Sequence, residues 1–159
     1  MGSPLLPCAV FSCKIYMANE HVLMTQKTFP VSMTCANATG IEKGTVLKVA
    51  DPNTVSASAA ANDHVAGIAY TEKIASDGNT LIAVLSGPGD ELQAVASGSI
   101  GLGDPLVTAV AADANRLASA VGLTTTALSG SRIIGRSLEA ATVGQTFKYV
   151  LDIQSTNLL

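Results

Sequence analysis

Two histidines, three cysteines and a thin scatter of carboxylates are the side chains of this 159-residue chain best equipped for chemistry. Asp63-His64 sets an acid beside an imidazole, and serines are plentiful, so a hydrolase triad is the first reaction to test. No Gly-x-Ser-x-Gly elbow accompanies the pair, and in a serine-rich chain an Asp/His/Ser coincidence is expected. A surface turn is the better reading. His21 and His64 lie far apart in sequence, and Cys8, Cys13 and Cys35 form no Cys-x-x-Cys pair, so the spacing of paired metal ligands is missing. The odd cysteine count points to free thiols in a reducing cytosol. Gly98-Ser99-Ile100-Gly101-Leu102-Gly103 contains Gly-x-Gly, but a phosphate cradle needs a helix to follow, and Asp104-Pro105 follows instead. A tight turn between strands is the expectation. Asn37-Ala38-Thr39 fits the glycosylation sequon and is read as a loop, because no secretory signal precedes it. The sequence therefore predicts no catalytic, metal or cofactor-binding residues, and a protein that is not an enzyme.

The elements around these residues read as strands. Gly78-Asn79-Thr80-Leu81-Ile82-Ala83-Val84-Leu85 aligns without gaps to Gly144-Gln145-Thr146-Phe147-Lys148-Tyr149-Val150-Leu151. Upstream of each lies a second matching piece, Val65-Ala66-Gly67-Ile68-Ala69 and Ile133-Ile134-Gly135-Arg136-Ser137. Further upstream come the glycine-led entries Gly44-Thr45-Val46-Leu47 and Gly103-Asp104-Pro105-Leu106. Two copies are too few for a solenoid and suggest a pseudo-symmetric barrel or sandwich. Phe147, Tyr149, Leu151 and Ile153 alternate with Thr146, Lys148, Val150 and Asp152, the period of a half-buried strand. Leu92 to Ile100 reads as a further strand. Asp104-Pro105 could open a capped helix through Val121. The alternative is a hairpin of Leu106–Val110 with Arg116–Ala120, favoured because Asp51-Pro52-Asn53 marks a turn at the comparable place of the first copy. A short helical turn is expected over Ala57 to Asp63. The candidate core is Val46, Leu81, Val84, Leu85, Ile133, Phe147, Tyr149 and Leu151.

Composition narrows the function. Only 13% of residues are charged, 48% are hydrophobic, and there are three Phe, three Tyr and no Trp. A core rich in alanine removes modest apolar area from water, so such a chain gains by burying surface against copies of itself or a partner. A net charge of −3 with singly scattered basic residues weighs against nucleic acid. No stretch approaches the ~20 apolar residues of a membrane helix, and Pro4 and Pro7 break the one apolar run near the start. Met17-Ala18-Asn19-Glu20 looks like an ordinary translation start, which leaves residues 1–16 as an extension or an arm.

Gly98-Ser99-Ile100 through Gly103-Asp104-Pro105-Leu106-Val107, then Ile133-Ile134-Gly135-Arg136-Ser137-Leu138-Glu139-Ala140-Ala141 and the final glycine-led strand, resemble the capsid cement (head decoration) proteins of tailed bacteriophages. So does Met17-Ala18-Asn19-Glu20 with the polar stretch after it. The resemblance covers residues 17–153 and rests on glycine-spaced β turns. It implies a small all-β, barrel-like or sandwich-like domain that self-associates, with a trimer favoured, and binds the major capsid protein on the outer surface of the virion. It transfers no catalytic residues. An Ala/Val/Thr-rich strand surface suits main-chain pairing with a partner strand. The alternative reading is a head-fibre base or a carbohydrate-binding β module, although glycan sites present aromatic platforms that six aromatics supply poorly.

The expected organisation is an N-terminal arm, residues 1–40, followed by a β domain, residues 41–159, with repeats over 43–86 and 102–152. The arm concentrates large apolar groups outside the repeat pattern. Phe11, Ile15, Tyr16, Leu23, Met24 and Phe29 are its candidate partner contacts; the alternatives are that the segment packs back on its own barrel or that residues 1–16 are never made.

Overall fold

A computed structural model describes residues 19–60, 63–109, 115–122 and 132–155. Its described residues are all-β, in eleven strands: β1 (Val22–Thr25), β2 (Val31–Thr34), β3 (Val46–Asp51), β4 (Thr54–Ala57), β5 (Val65–Ala69), β6 (Leu81–Leu85), β7 (Glu91–Val95), β8 (Pro105–Thr108), β9 (Leu117–Ser119), β10 (Arg132–Ser137) and β11 (Thr146–Ser155). One sheet is a closed barrel, β2-β4-β3-β5-β6, and the other runs β1-β7-β11-β10-β8-β9.

The repeat is written into this topology. The order β4-β3-β5-β6-β2 in the barrel matches β9-β8-β10-β11-β7 in the second sheet. Leu47 pairs with Gly67 as Leu106 pairs with Gly135. Thr34 pairs with Leu81 as Val95 pairs with Thr146, and Val31 with Val84 as Leu92 with Tyr149. The antiparallel bridges Ile41–Lys73 and Ile100–Ala141 also correspond. Gly67 and Gly135 share one cause. A Cβ on Gly67 would overlap the carbonyl of Leu85 and one on Gly135 that of Val150, so only glycine lets the neighbouring strand approach. Each unit thus has five strands, because the strand before each glycine-led entry, β2 or β7, joins it.

Two apolar clusters hold the molecule together. The larger spans both units, with Val46, Val65, Ile68 and Leu85 from the first packed with Leu92, Leu106, Leu117, Ile134, Phe147, Tyr149 and Leu151 from the second. The smaller fills the barrel with Cys35, Ile41, Leu47, Val55, Ile82 and Val84.

Several expectations are corrected. Leu81 is 52% exposed, not core. The gapless alignment set it against Phe147, but the ladder sets it against Thr146, and a one-residue slip turns a strand's side chains to the opposite face. Ile133 is only half-buried, and its neighbour Ile134 takes the core position beside a register shift between Ile133 and Gly135. Residues 19–40, expected to stand apart from the repeated core, enter it. β1 pairs with β7 and β2 with β6, while Leu23 packs on the larger cluster and Met33 on the smaller. The strand expected over Leu92 to Ile100 ends at Val95. The stretch 105–119 is the hairpin, with Leu106 opposite Ser119 and Thr108 opposite Leu117; its tip, 110–114, lies outside the described residues. In place of a helical turn over Ala57 to Asp63, Ala57 ends β4 and Ala60 and Asp63 are bends, with the Asp63 N–H on the Ala60 carbonyl.

Candidate partner-binding surface

β1, the loop after it and β2 carry a strip, in sequence, of exposed large apolar side chains. Val22 and Met24 are exposed on β1, Val31 on β2, and Phe29 between them is 92% exposed. Large apolar groups in water normally collapse inward, so the question is what holds this loop out. The answer is Asp90. Its buried carboxylate accepts the N–H of Lys27 at 2.5 Å, the N–H of Thr28 at 2.8 Å and the Thr28 hydroxyl at 2.5 Å. Gly87 lies so close to Thr28 that a Cβ would overlap it. Gln26 donates to the Thr28 carbonyl at 2.9 Å, and Lys27 pairs with Glu91 at 3.1 Å. Charge-assisted bonds of this kind are about twice as strong as neutral ones, so the loop is presented in a fixed shape.

A second polar node ties the strip's base to both units. His21, buried just before β1, places Nδ1 2.6 Å from the Tyr149 hydroxyl and Nε2 2.7 Å from the Asn115 carbonyl. A carbonyl only accepts, so Nε2 carries the hydrogen; in the neutral ring Nδ1 then accepts from the tyrosine. The rings meet edge to face, with centroids 5.4 Å apart. Burial pushes the Tyr149 phenol well above its ordinary 10.0, which keeps the hydroxyl a donor. His21 N–H donates to the Gly44 carbonyl at 2.9 Å, and Asn115 Oδ1 accepts from Val46 N–H at 3.0 Å. The node therefore stitches the first unit to the second.

The other chemically able groups serve loops. Asp63 accepts from the N–H of Ala59 and Ala60 and from Lys48 at 3.2 Å, while His64 is exposed. Burial works against the Asp63 carboxylate, yet those bonds outweigh it and its pKa is lowered. Lys73, buried, donates to the carbonyls of Asn37 and Ile74 and to Asp77 at 2.6 Å, which lowers the Asp77 pKa. Asp104 closes the Gly98–Gly103 turn, accepting from Ser119 at 2.7 Å and Gly101 at 2.8 Å, and its pKa is lowered by the Ser119 bond first. Among the described residues, no group of three or more His, Cys, Asp or Glu is placed to hold a metal ion. Cys35 is a buried free thiol.

Of the sequence candidates, Met24 and Phe29 lie exposed on the strip and Leu23 lies beneath it, half-buried against the core. Phe11, Ile15 and Tyr16 lie outside the described residues. Val31 belongs to the strip and was not singled out; the alternation of Val31-Ser32-Met33-Thr34 was the available signal.

No family model matches the chain, and no curated protein matches it. Among solved structures it is similar to the head fiber gp8.5 N base of bacteriophage phi29, with 22% identity, a TM-score of 0.48, and coverage of 77% of this chain and 94% of that one. A likeness of that order says nothing about what this chain binds.

Proposed function

We propose that this chain is a structural virion protein of a tailed bacteriophage, a cement protein that binds the outer surface of the capsid and stabilises contacts between major capsid protein subunits. The observation that carries the reading is the set of exposed apolar side chains Val22, Met24, Phe29 and Val31, with the loop before Phe29 fixed by the buried Asp90 carboxylate. An ordered apolar strip has already met most of its ordering cost, so burying it against a partner stabilises the complex efficiently. Each large apolar side chain fully buried contributes about 1.5–3 kcal/mol before the cost of association. The role is mechanical rather than enzymatic, in keeping with Asp90, Lys73 and His21, buried polar groups that each serve to hold loops and strands in place. The glycine-spaced resemblance supports the capsid as partner and a homotrimer as the working form.

Add-back to capsids lacking the chain tests this. The expected result is co-sedimentation, restored resistance to heat or chelator, and a trimer in sedimentation equilibrium. Binding without any gain in resistance would favour a fibre base over a cement. Absence of binding, together with hydrolysis of a substrate, would overturn the reading.

A further inference from the structure

The two units differ in one respect that their common architecture exposes. In the second unit the outer edge of β7 is covered by β1, with Val22 opposite Gln93, Leu23 opposite Leu92 and Thr25 opposite Glu91. Leu92 is 0% exposed in the larger core cluster, and Leu23 opposite it packs on that cluster. The ladders equate Leu92–Val95 with Val31–Thr34 of β2 in the first unit. There, β2 meets β4 only at Thr34–Thr54, and no described strand lies along Val31–Met33. Val31, the counterpart of Leu92, is 48% exposed.

The backbone at this edge points outward. The Ala83 carbonyl accepts from Tyr70, on the β5 side, so Ser32, opposite Ala83, does not bond to β6. Thr34 N–H donates to Asn53 on the β4 side, and Ser32, two residues earlier, faces the same way. Its counterpart is Gln93. The Lys148 carbonyl opposite Gln93 accepts from Leu138, which leaves the Gln93 amide for β1.

We infer that the free edge of β2, centred on Ser32, is a strand-accepting site, and that its occupant is an extended segment of the capsid subunit pairing as β1 pairs with β7. The inference rests on the capsid reading above and adds the mode of contact. The twin site specifies the chemistry: antiparallel main-chain hydrogen bonds at Ser32, and an apolar side chain opposite Val31 playing the part Leu23 plays over Leu92. Phe29, two residues before Val31, extends the same contact.

Amide hydrogen exchange reads the site directly. In the isolated protein the Ser32 amide is expected to exchange on the order of tenfold or more faster than the Gln93 amide. On capsids lacking the chain, Ser32 should become protected. Ser32→Pro removes the edge N–H from a position where an edge strand tolerates proline. It should abolish pelleting with capsids while the circular dichroism melt stays within a few degrees; Ser32→Ala, which keeps the N–H, should pellet normally. Pelleting with an unprotected Ser32, or by Ser32→Pro at unchanged affinity, overturns the edge site and leaves the capsid reading standing. Protection of Ser32 in the isolated protein also overturns it. Failure of the unaltered protein to pellet overturns both.

Discussion

Tyr149→Phe removes one oxygen from the interior and tests whether the His21 node joins the two units. The hydroxyl lies 2.6 Å from His21 Nδ1 and the residue is fully buried, so no water replaces it in place. The phenyl ring refills the same volume and retains its packing on Phe147, 6.2 Å away between centroids, so the packing contribution is nearly unchanged. What is lost is one buried hydrogen bond and the donor to a buried ring nitrogen, about 1–3 kcal/mol together. For a chain of this size that lowers the melting temperature by about 2–12 °C. Differential scanning calorimetry of Tyr149→Phe, His21→Leu and the double variant completes a cycle, in which a directly bonded pair shows a coupling of about 0.5–3 kcal/mol. A Tyr149→Phe melt within 1 °C of the parent, or strict additivity in the cycle, would refute the node.

Phe147→Ala, at a fully buried site, should cost about 3–5 kcal/mol in urea unfolding, while Leu81→Ser at its exposed position should change stability by less than about 0.5 kcal/mol. Gly67→Ala and Gly135→Ala should each prevent normal folding, seen as lost near-ultraviolet signal, because both meet a carbonyl of the adjoining strand. Asp63, Asp77 and Asp104 have folded pKa values below the ordinary 3.8. Their stabilisation is complete above that value and lost as pH falls through the lowered ones, so their share of the melting temperature should disappear only in acid below 3.8. Asp77→Asn should flatten part of that acid limb in a pH series of thermal melts.

Glycines and alternation made much of the fold legible. Gly44 and Gly103, Gly67 and Gly135, and Gly78 and Gly144 mark matching turns and close approaches, and they disclosed the duplication before any strand was placed. Phe147, Tyr149 and Leu151 gave the core face of β11 directly. The ladder register was not legible, because the run Leu81–Leu85 is apolar at every position and does not say which side faces inward; hence the reversal at Leu81. β1 and β2 were hidden for a different reason. They carry no leading glycine, and their place is fixed by pairing with β7 and β6 some 50–70 residues away. The candidate surface was half legible. Met24 and Phe29 stood out as large apolar groups, whereas the Asp90 contacts to Lys27 and Thr28 and the His21–Tyr149 contact spanning 128 residues are products of tertiary structure alone.

The most direct test of the capsid-surface role is a cryo-electron microscopy difference map between capsids with and without the chain. The account predicts density on the outer shell surface bridging major capsid protein subunits, with Met24, Phe29 and the β2 edge turned toward the shell. No added density, or density that presents Met24 and Phe29 to solvent, would contradict it.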